Sequence, residues 1–241
     1  MKISPNFVKA AHVVVLAAST VFMSSAFAAD ESVGVRKKMM VIPEGIWNDK
    51  ADRSYTKIIN KAKKAHLLVI DPRLERLMQQ MVPHAVAYRP SAAKWEWEIH
   101  AQMNGILNAS GFPGGKILLN TGLYWNLELT DDELAFVIAH EMSHALLDHN
   151  REKVSSSLLL GSLPSYLTNG VSQTWLHEME ADILALVLME NAGLNPKAAE
   201  TFFNKFERET ERRRALNTDQ PLMSTDFMKY RRQAIENALA S

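Results

Sequence analysis

An α+β fold, mostly helical with a small antiparallel sheet, is predicted by three features of this 241-residue sequence. Long stretches carry apolar residues at helical spacing. Trp95–Ala101 alternates strictly between apolar and polar side chains, as a strand with one buried face does. The turn-rich run Ser110-Gly111-Phe112-Pro113-Gly114-Gly115 separates two further short strand candidates, 105–108 and 116–120. Lys and Arg number 27 against 27 Asp and Glu, and 47% of residues are hydrophobic, so the chain reads as an ordinary globular protein and not a nucleic-acid binder. It has no cysteine, so packing, and a metal if one is bound, must replace disulfides.

Residues 1–28 differ in kind. Lys2 and Lys9 lie at the start, Val13–Met23 is an apolar run, and Ala26-Phe27-Ala28 places small residues at the cleavage-determining positions. A secretory signal cut after Ala28 is expected, since a bilayer span needs ~20 apolar residues and this run is shorter. With no cysteine to be acylated, the expected product is a soluble periplasmic protein and not a lipoprotein, with no transmembrane segment in its mature chain. Residues 29–241 then form one domain, of which 29–53, with Gly34, Pro43 and Gly45, reads as an irregular arm.

A helix is expected from Ser54 to Leu68, with Ile58, Ile59 and Ala62 inward and its lysines solvated. Asp71-Pro72 reads as a cap followed by proline at the first helical position, opening a helix to about Met81 that Pro83 closes. Thr130 to Glu133 has the form of a capping box, and Asp131, Asp132 and Glu133 add negative charge where the helix dipole favours it. The helix it opens runs through Leu134–His149. Serines, glycines and Pro164 make 154–170 a loop or broken helix. Further helices are expected over Ser172–Asn191, capped by Gly193, from Asn195-Pro196 to Arg214, and over Ser224–Leu239.

The apolar helix carries His140-Glu141-Met142-Ser143-His144. At about 100° per residue, His140 and His144 lie about 40° apart with Glu141 in the same arc. Two imidazoles one turn apart beside a carboxylate are what a zinc ion and its water need, so one Zn2+ per chain is expected, with Glu141 as the acid/base. A third ligand of the metzincin kind would require glycine at 147 and histidine at 150, where this chain has Leu147 and Asn150. His149 lies about 180° round the helix from His140 if the helix continues, which leaves it a capping or packing role. Glu178 is the better third ligand. Asp182 shares its helical face and can accept a hydrogen bond from the far nitrogen of a ligand histidine, His140, whereas Glu180 points elsewhere. His177 can polarise a substrate, or serve structure alone.

Glu-x-x-Ala-Asp downstream of His-Glu-x-x-His resembles the M48 family of zinc metallopeptidases, over roughly Leu107–Ala199. This gluzincin group includes the membrane CAAX prenyl protease, the bacterial heat-shock protease and periplasmic quality-control members. The resemblance implies a zincin-like metallopeptidase domain with its sheet beside the active-site helix. It makes His140, His144 and Glu178 the zinc ligands and Glu141 the catalytic base. Asn108-Ala109 and Pro113-Gly114-Gly115 resemble the family segment that lies along the substrate, so Asn108, Ala109, Ser110 and Gly111 are candidate substrate-binding residues. Two departures stand out: Ser110-Gly111 replaces the usual Phe-Ala, and Ser224-Thr225-Asp226-Phe227, ahead of Arg231-Arg232, replaces Ser-Thr-His-Pro.

The expected function is a metalloendopeptidase acting on polypeptides, unfolded or misfolded cell-envelope proteins by the resemblance, in periplasmic quality control. An edge strand around Asn108–Gly115 would hold them by strand addition. The alternatives are a non-proteolytic, zinc-stabilised binding or chaperone-like protein, and a metallohydrolase of non-peptide substrates.

Overall fold

The structure, a computed structural model, describes residues 38, 40–160, 173–216 and 224–240. The signal expected over 1–28, most of the arm before Glu44, residues 161–170 and Ser172 lie outside them. Helix α1 spans Glu44–Lys64, with Glu44 in its first turn and Lys61, Lys63 and Lys64 in its last, charges that oppose the dipole at both ends. It begins ahead of the expected Ser54, so the irregular arm of 29–53 gives way to helix at Glu44. Tyr55 and Ala62 are its buried residues, while Ile58 stays 37% exposed.

A short strand β1 (Leu68–Val69) leads to α2 (Pro72–Tyr88), whose cap Asp71 accepts from Arg73 N at 3.0 Å. Contrary to expectation Pro83 does not close α2. The proline is exposed, so the backbone bond it removes lies on the solvent side, and Ala85 continues the buried face beyond it. A 3-10 turn, Pro90–Lys94, precedes β2 (Glu98–Gln102), which begins later than the Trp95 alternation indicated. Residues 105–108 form no strand. Instead β3 occupies Ala109–Phe112, overlapping the stretch from Ser110 expected to be a turn, and the turn contracts to Pro113-Gly114-Gly115 before β4 (Lys116–Asn120). Gly114 and Gly115 have φ of 84° and 86°, which side chains with a Cβ rarely adopt.

The sheet order is β1-β2-β4-β3. Pairing is antiparallel at β1/β2 and β3/β4 but parallel at β2/β4, so the sheet is mixed and the expected wholly antiparallel one is corrected. The reason is the path: after β2 the chain passes to the far edge, returns as β3, and enters the middle as β4 running with β2. Ile99, Ala101, Ile117 and Leu119 join the main core on one face. On the other, Tyr55 of α1 bonds Ile117 O at 3.1 Å and meets Phe112 edge-on at 5.3 Å. β4 is therefore buried throughout.

A one-turn helix α3 (Thr121–Tyr124) precedes α4 (Asp131–Leu146). The capping box at Thr130 and Glu133 is present in both directions. Buried on nearly all sides, α4 packs on β3, β4, α2, α6 (Gln173–Asn191) and α7 (Ala198–Ala215). It does not reach His149. Asp148 takes φ 59°, and its carboxylate is held by Arg89 at 2.9 Å and Arg151 at 2.6 Å. Lys38 Nζ and Arg89 Nη1 satisfy the last carbonyls, Leu147 O and Leu146 O. The chain then turns into α5 (His149–Leu160), so that 154–160, the described part of the stretch expected to be a loop or broken helix, is helical, and α8 (Thr225–Ala240) packs on α6 and α7.

Candidate metal centre

Because α4 is uninterrupted through residues 140–144, His140 and His144 lie one turn apart on one face, their Nε2 atoms 3.0 Å apart. From α6, Glu178 meets both: Oε2 stands 3.3 Å from His140 Nε2 and Oε1 3.4 Å from His144 Nε2. Among the described residues these three form the metal-compatible group, their donor atoms all within 4.8 Å of one another. The set can be tested against zinc. Tetrahedral coordination at about 2.0–2.1 Å places ligand atoms about 3.3 Å apart, close to the separations found. Two neutral nitrogens and one carboxylate are also the donor types of a zinc site that keeps a position open.

Each donor is held from behind. His140 Nδ1 lies 2.8 Å from Asp182 Oδ1, and Asp182 is fully buried. Arg231 of α8 closes the arrangement, with Nε and Nη2 each donating to Asp182 at 2.7 Å and Nη1 3.2 Å from Glu178 Oε2. His144 Nδ1 lies 3.0 Å from His149 Nδ1, and His149 Nε2 lies 3.0 Å from Glu180 Oε2. Burial opposes charge on Glu178, yet the two histidines and Arg231 hold its carboxyl far below the usual range. Burial likewise opposes protonation of His140, but Asp182 and Glu178 outweigh it and push the imidazole up to about 10. Protons and a cation therefore compete for the same nitrogen. At His149 burial wins, against Glu180, and pushes the ring down to about 3.

Glu141 faces a cavity of about 440 Å³ between α4 and β3, lined also by Asn108, Ala109, Ser110, Gly111 and Asn150. Gly111 N donates to Glu141 Oε2 at 2.5 Å, and Gly111 O accepts from Asn150 Nδ2 at 3.2 Å. A Cβ on residue 111 would stand 2.4 Å from Glu141 O, so the strand approaches the helix as closely as it does because glycine is there. Phe136, Phe202, Phe203, Phe206 and Met228 form the apolar end.

The structure brings His140, Glu141, His144, Glu178, Asp182 and residues 108–111 to one place; the direction expected of His149 is corrected, and of the two roles open to His177 its surroundings fit the structural one. His149 is not turned away along α4. The break at Asp148 folds it back onto His144. His177 is not at the cavity. It is buried, stacked on His149 at 4.2 Å, and bonded to Glu152 at 3.2 Å. Sequence reasoning missed Arg231 as a site residue, although the arginine that follows the altered C-terminal motif was a signal. It missed Asn150 and the phenylalanine wall, whose spacing resembles any helix core.

Residues 70–176 match the profile of Peptidase family M48. Over 124 residues, 45% of this chain and 25% of the relative, the sequence is 33% identical to the mitochondrial metalloendopeptidase OMA1 of Arabidopsis thaliana. The Schizosaccharomyces pombe protein of that name is 32% identical over 129 residues, 46% of this chain and 38% of the relative. The beta-barrel assembly-enhancing protease of Escherichia coli is 25% identical over 165 residues, 57% of this chain and 34% of the relative. The chain thus covers well under half the length of each of these relatives. The two OMA1 relatives are mitochondrial proteins, a finding that overturns the periplasmic location expected from the N-terminal stretch.

Proposed function

We propose that this chain, whose residues 70–176 match peptidase family M48, is a zinc metalloendopeptidase of that family that cleaves extended, unfolded or misfolded polypeptides. The observation that carries the reading is the convergence of His140, His144 and Glu178 within 4.8 Å, beside Glu141 and a cavity bordered by an edge strand. His140, His144 and Glu178 would hold the ion. When bound, zinc supplies Lewis acidity, bringing the pKa of a water towards ~7 and polarising a carbonyl.

The chain's own residues do the rest. Asp182 orients His140, and Arg231 holds Glu178 and Asp182 and favours the ionised form of both carboxylates. Gly111 N–H holds one Glu141 oxygen, leaving the other to take a proton from the attacking water and pass it to the leaving nitrogen. Asn108, Ala109, Ser110 and Gly111 lie along the bound chain, where β3 accepts an extended segment by strand addition. Folded proteins offer few free strands, and this favours unfolded substrates. Phe136, Phe202 and Phe203 would receive an apolar side chain next to the scissile bond.

Glu141→Gln is the test. It is expected to keep stoichiometric zinc and to lose cleavage of an unfolded casein-type substrate. Unchanged turnover would refute the proposal. A non-proteolytic zinc-stabilised binding protein would leave Glu141 without a task, and that variant would then behave as wild type in binding.

A further inference from the structure

Four buried titratable residues have no part in the chemistry above: His149, Glu152, His177 and Glu180, all at most 8% exposed. They lie behind His144. His140 has a carboxylate on its far nitrogen, the usual support of a metal-binding imidazole. His144 has a second imidazole there, and the carboxylate comes one residue further out.

We propose that His149 and Glu180 form a relay that fixes His144 in the tautomer with a bare Nε2, making His149 a positioning residue for the donor set. The proton placement has one consistent solution. An ionised Glu180 oxygen only accepts, so His149 Nε2 carries the hydrogen. A His144 that offers Nε2 to a cation carries its hydrogen on Nδ1, which faces His149 Nδ1 at 3.0 Å. That Nδ1 must then be bare, which is what a neutral His149 protonated on Nε2 provides. One carboxylate thus sets the positions of two hydrogens in sequence, one on each ring.

The fold supports the direction of the rings. The left-handed turn at Asp148 starts α5 at His149, so the imidazole returns to α4 in place of continuing away from it. His177 stacks on it at 9° between planes, and this stack fixes the ring plane without entering the relay; the bond of His177 to Glu152 is separate from the relay's hydrogen bonds.

This inference rests on the reading that His144 holds zinc, and the experiment separates the two. Zinc dissociation constants are measured by chelator competition on the full chain, with the visible spectrum of the Co2+ form as a second readout. His149→Phe keeps the stack and volume but offers no acceptor, and zinc affinity is expected to fall about 10–100-fold. His149→Asn places an oxygen near the Nδ1 position and is expected to restore affinity to within about threefold. His177→Phe keeps the stack and severs Glu152, and is expected to leave both zinc affinity and the Co2+ spectrum unchanged. Wild-type affinity in His149→Phe overturns the relay, as does equal weakening in His177→Phe or failure of His149→Asn to recover. Absence of zinc uptake by the wild type overturns the relay and the site reading together.

Discussion

Arg231→Met probes the support of the centre most directly. Arg231 is 5% exposed, and its guanidinium serves Asp182 twice at 2.7 Å and Glu178 once at 3.2 Å. It also lies over the rings of Phe203 and Phe227, 5.0 and 5.8 Å from their centroids. Methionine keeps an apolar stem against those rings and removes the charge. Breaking a buried ion pair by deleting one partner costs about 3–5 kcal/mol, since the other charge is left uncompensated. His140 still bonds Asp182 at 2.8 Å, which places the expected loss at the lower end, about 3 kcal/mol. For a domain of this size that corresponds to a fall in Tm of roughly 6–12 °C. The assay is reversible thermal or urea unfolding at neutral pH with zinc removed, on Arg231→Met, Asp182→Asn and the double variant. In the double variant the unpaired charges are gone together, so its loss should be smaller than the sum of the singles. A loss under about 1 kcal/mol for Arg231→Met, or strict additivity, would show that the guanidinium is not what holds the two carboxylates.

Gly111→Ala introduces a Cβ 2.4 Å from Glu141 O, so β3 or α4 must shift at a cost of about 1–3 kcal/mol, and peptide cleavage should fall with it. Wild-type melting and turnover in that variant would contradict the close approach. Glu133 bonds Thr130 N at 2.8 Å and Lys205 at 2.7 Å; burial opposes its ionisation, but these partners hold the carboxyl below its ordinary value of 4.5. A depressed folded pKa contributes stability that is present above the unfolded value and lost as pH falls through the folded one. Glu133→Gln should therefore be less stable than wild type at neutral pH and converge with it in acid, whereas a gap of constant size in urea melts would count against this. Zinc at a hundredfold excess over its Kd should stabilise the protein by about 2.7 kcal/mol, and chelation should reverse this. His140→Ala and Glu178→Ala should abolish the response, and a zinc-insensitive wild-type Tm would remove the site.

What the sequence made legible was what is decided locally. The capping box at Thr130, the cap and proline at Asp71-Pro72 and the turn at Gly193 each depend on neighbours a few residues away, and all are present. Pro83 was misread because a proline's cost depends on which side of the helix faces water, which only the packing of α2 decides. Ser110-Gly111-Phe112 has the composition of a turn. It becomes a strand because Gly111 can lie against the backbone of Glu141, a contact between segments distant in sequence. The parallel pairing of β2 with β4 is a matter of path, to which side-chain alternation is blind. His149 was assigned the wrong direction because the helix break at Asp148 is stabilised by Arg89, Arg151 and Lys38, which the helix sequence does not contain. The His-Glu-x-x-His and Glu178/Asp182 spacings, by contrast, were legible because helical periodicity puts each pair on one face, whereas the meeting of the two faces is decided by the docking of α6 on α4.

The donors are drawn from α4 and α6, and the arginine that steadies them from α8. A collapsed or partly folded chain in which α4 has formed already displays His140 and His144, but it lacks the tertiary docking that delivers Glu178. Such a state can hold zinc only weakly. On the reading proposed above, tightly bound zinc therefore counts native molecules, and the metal content of a preparation measures its correctly folded fraction.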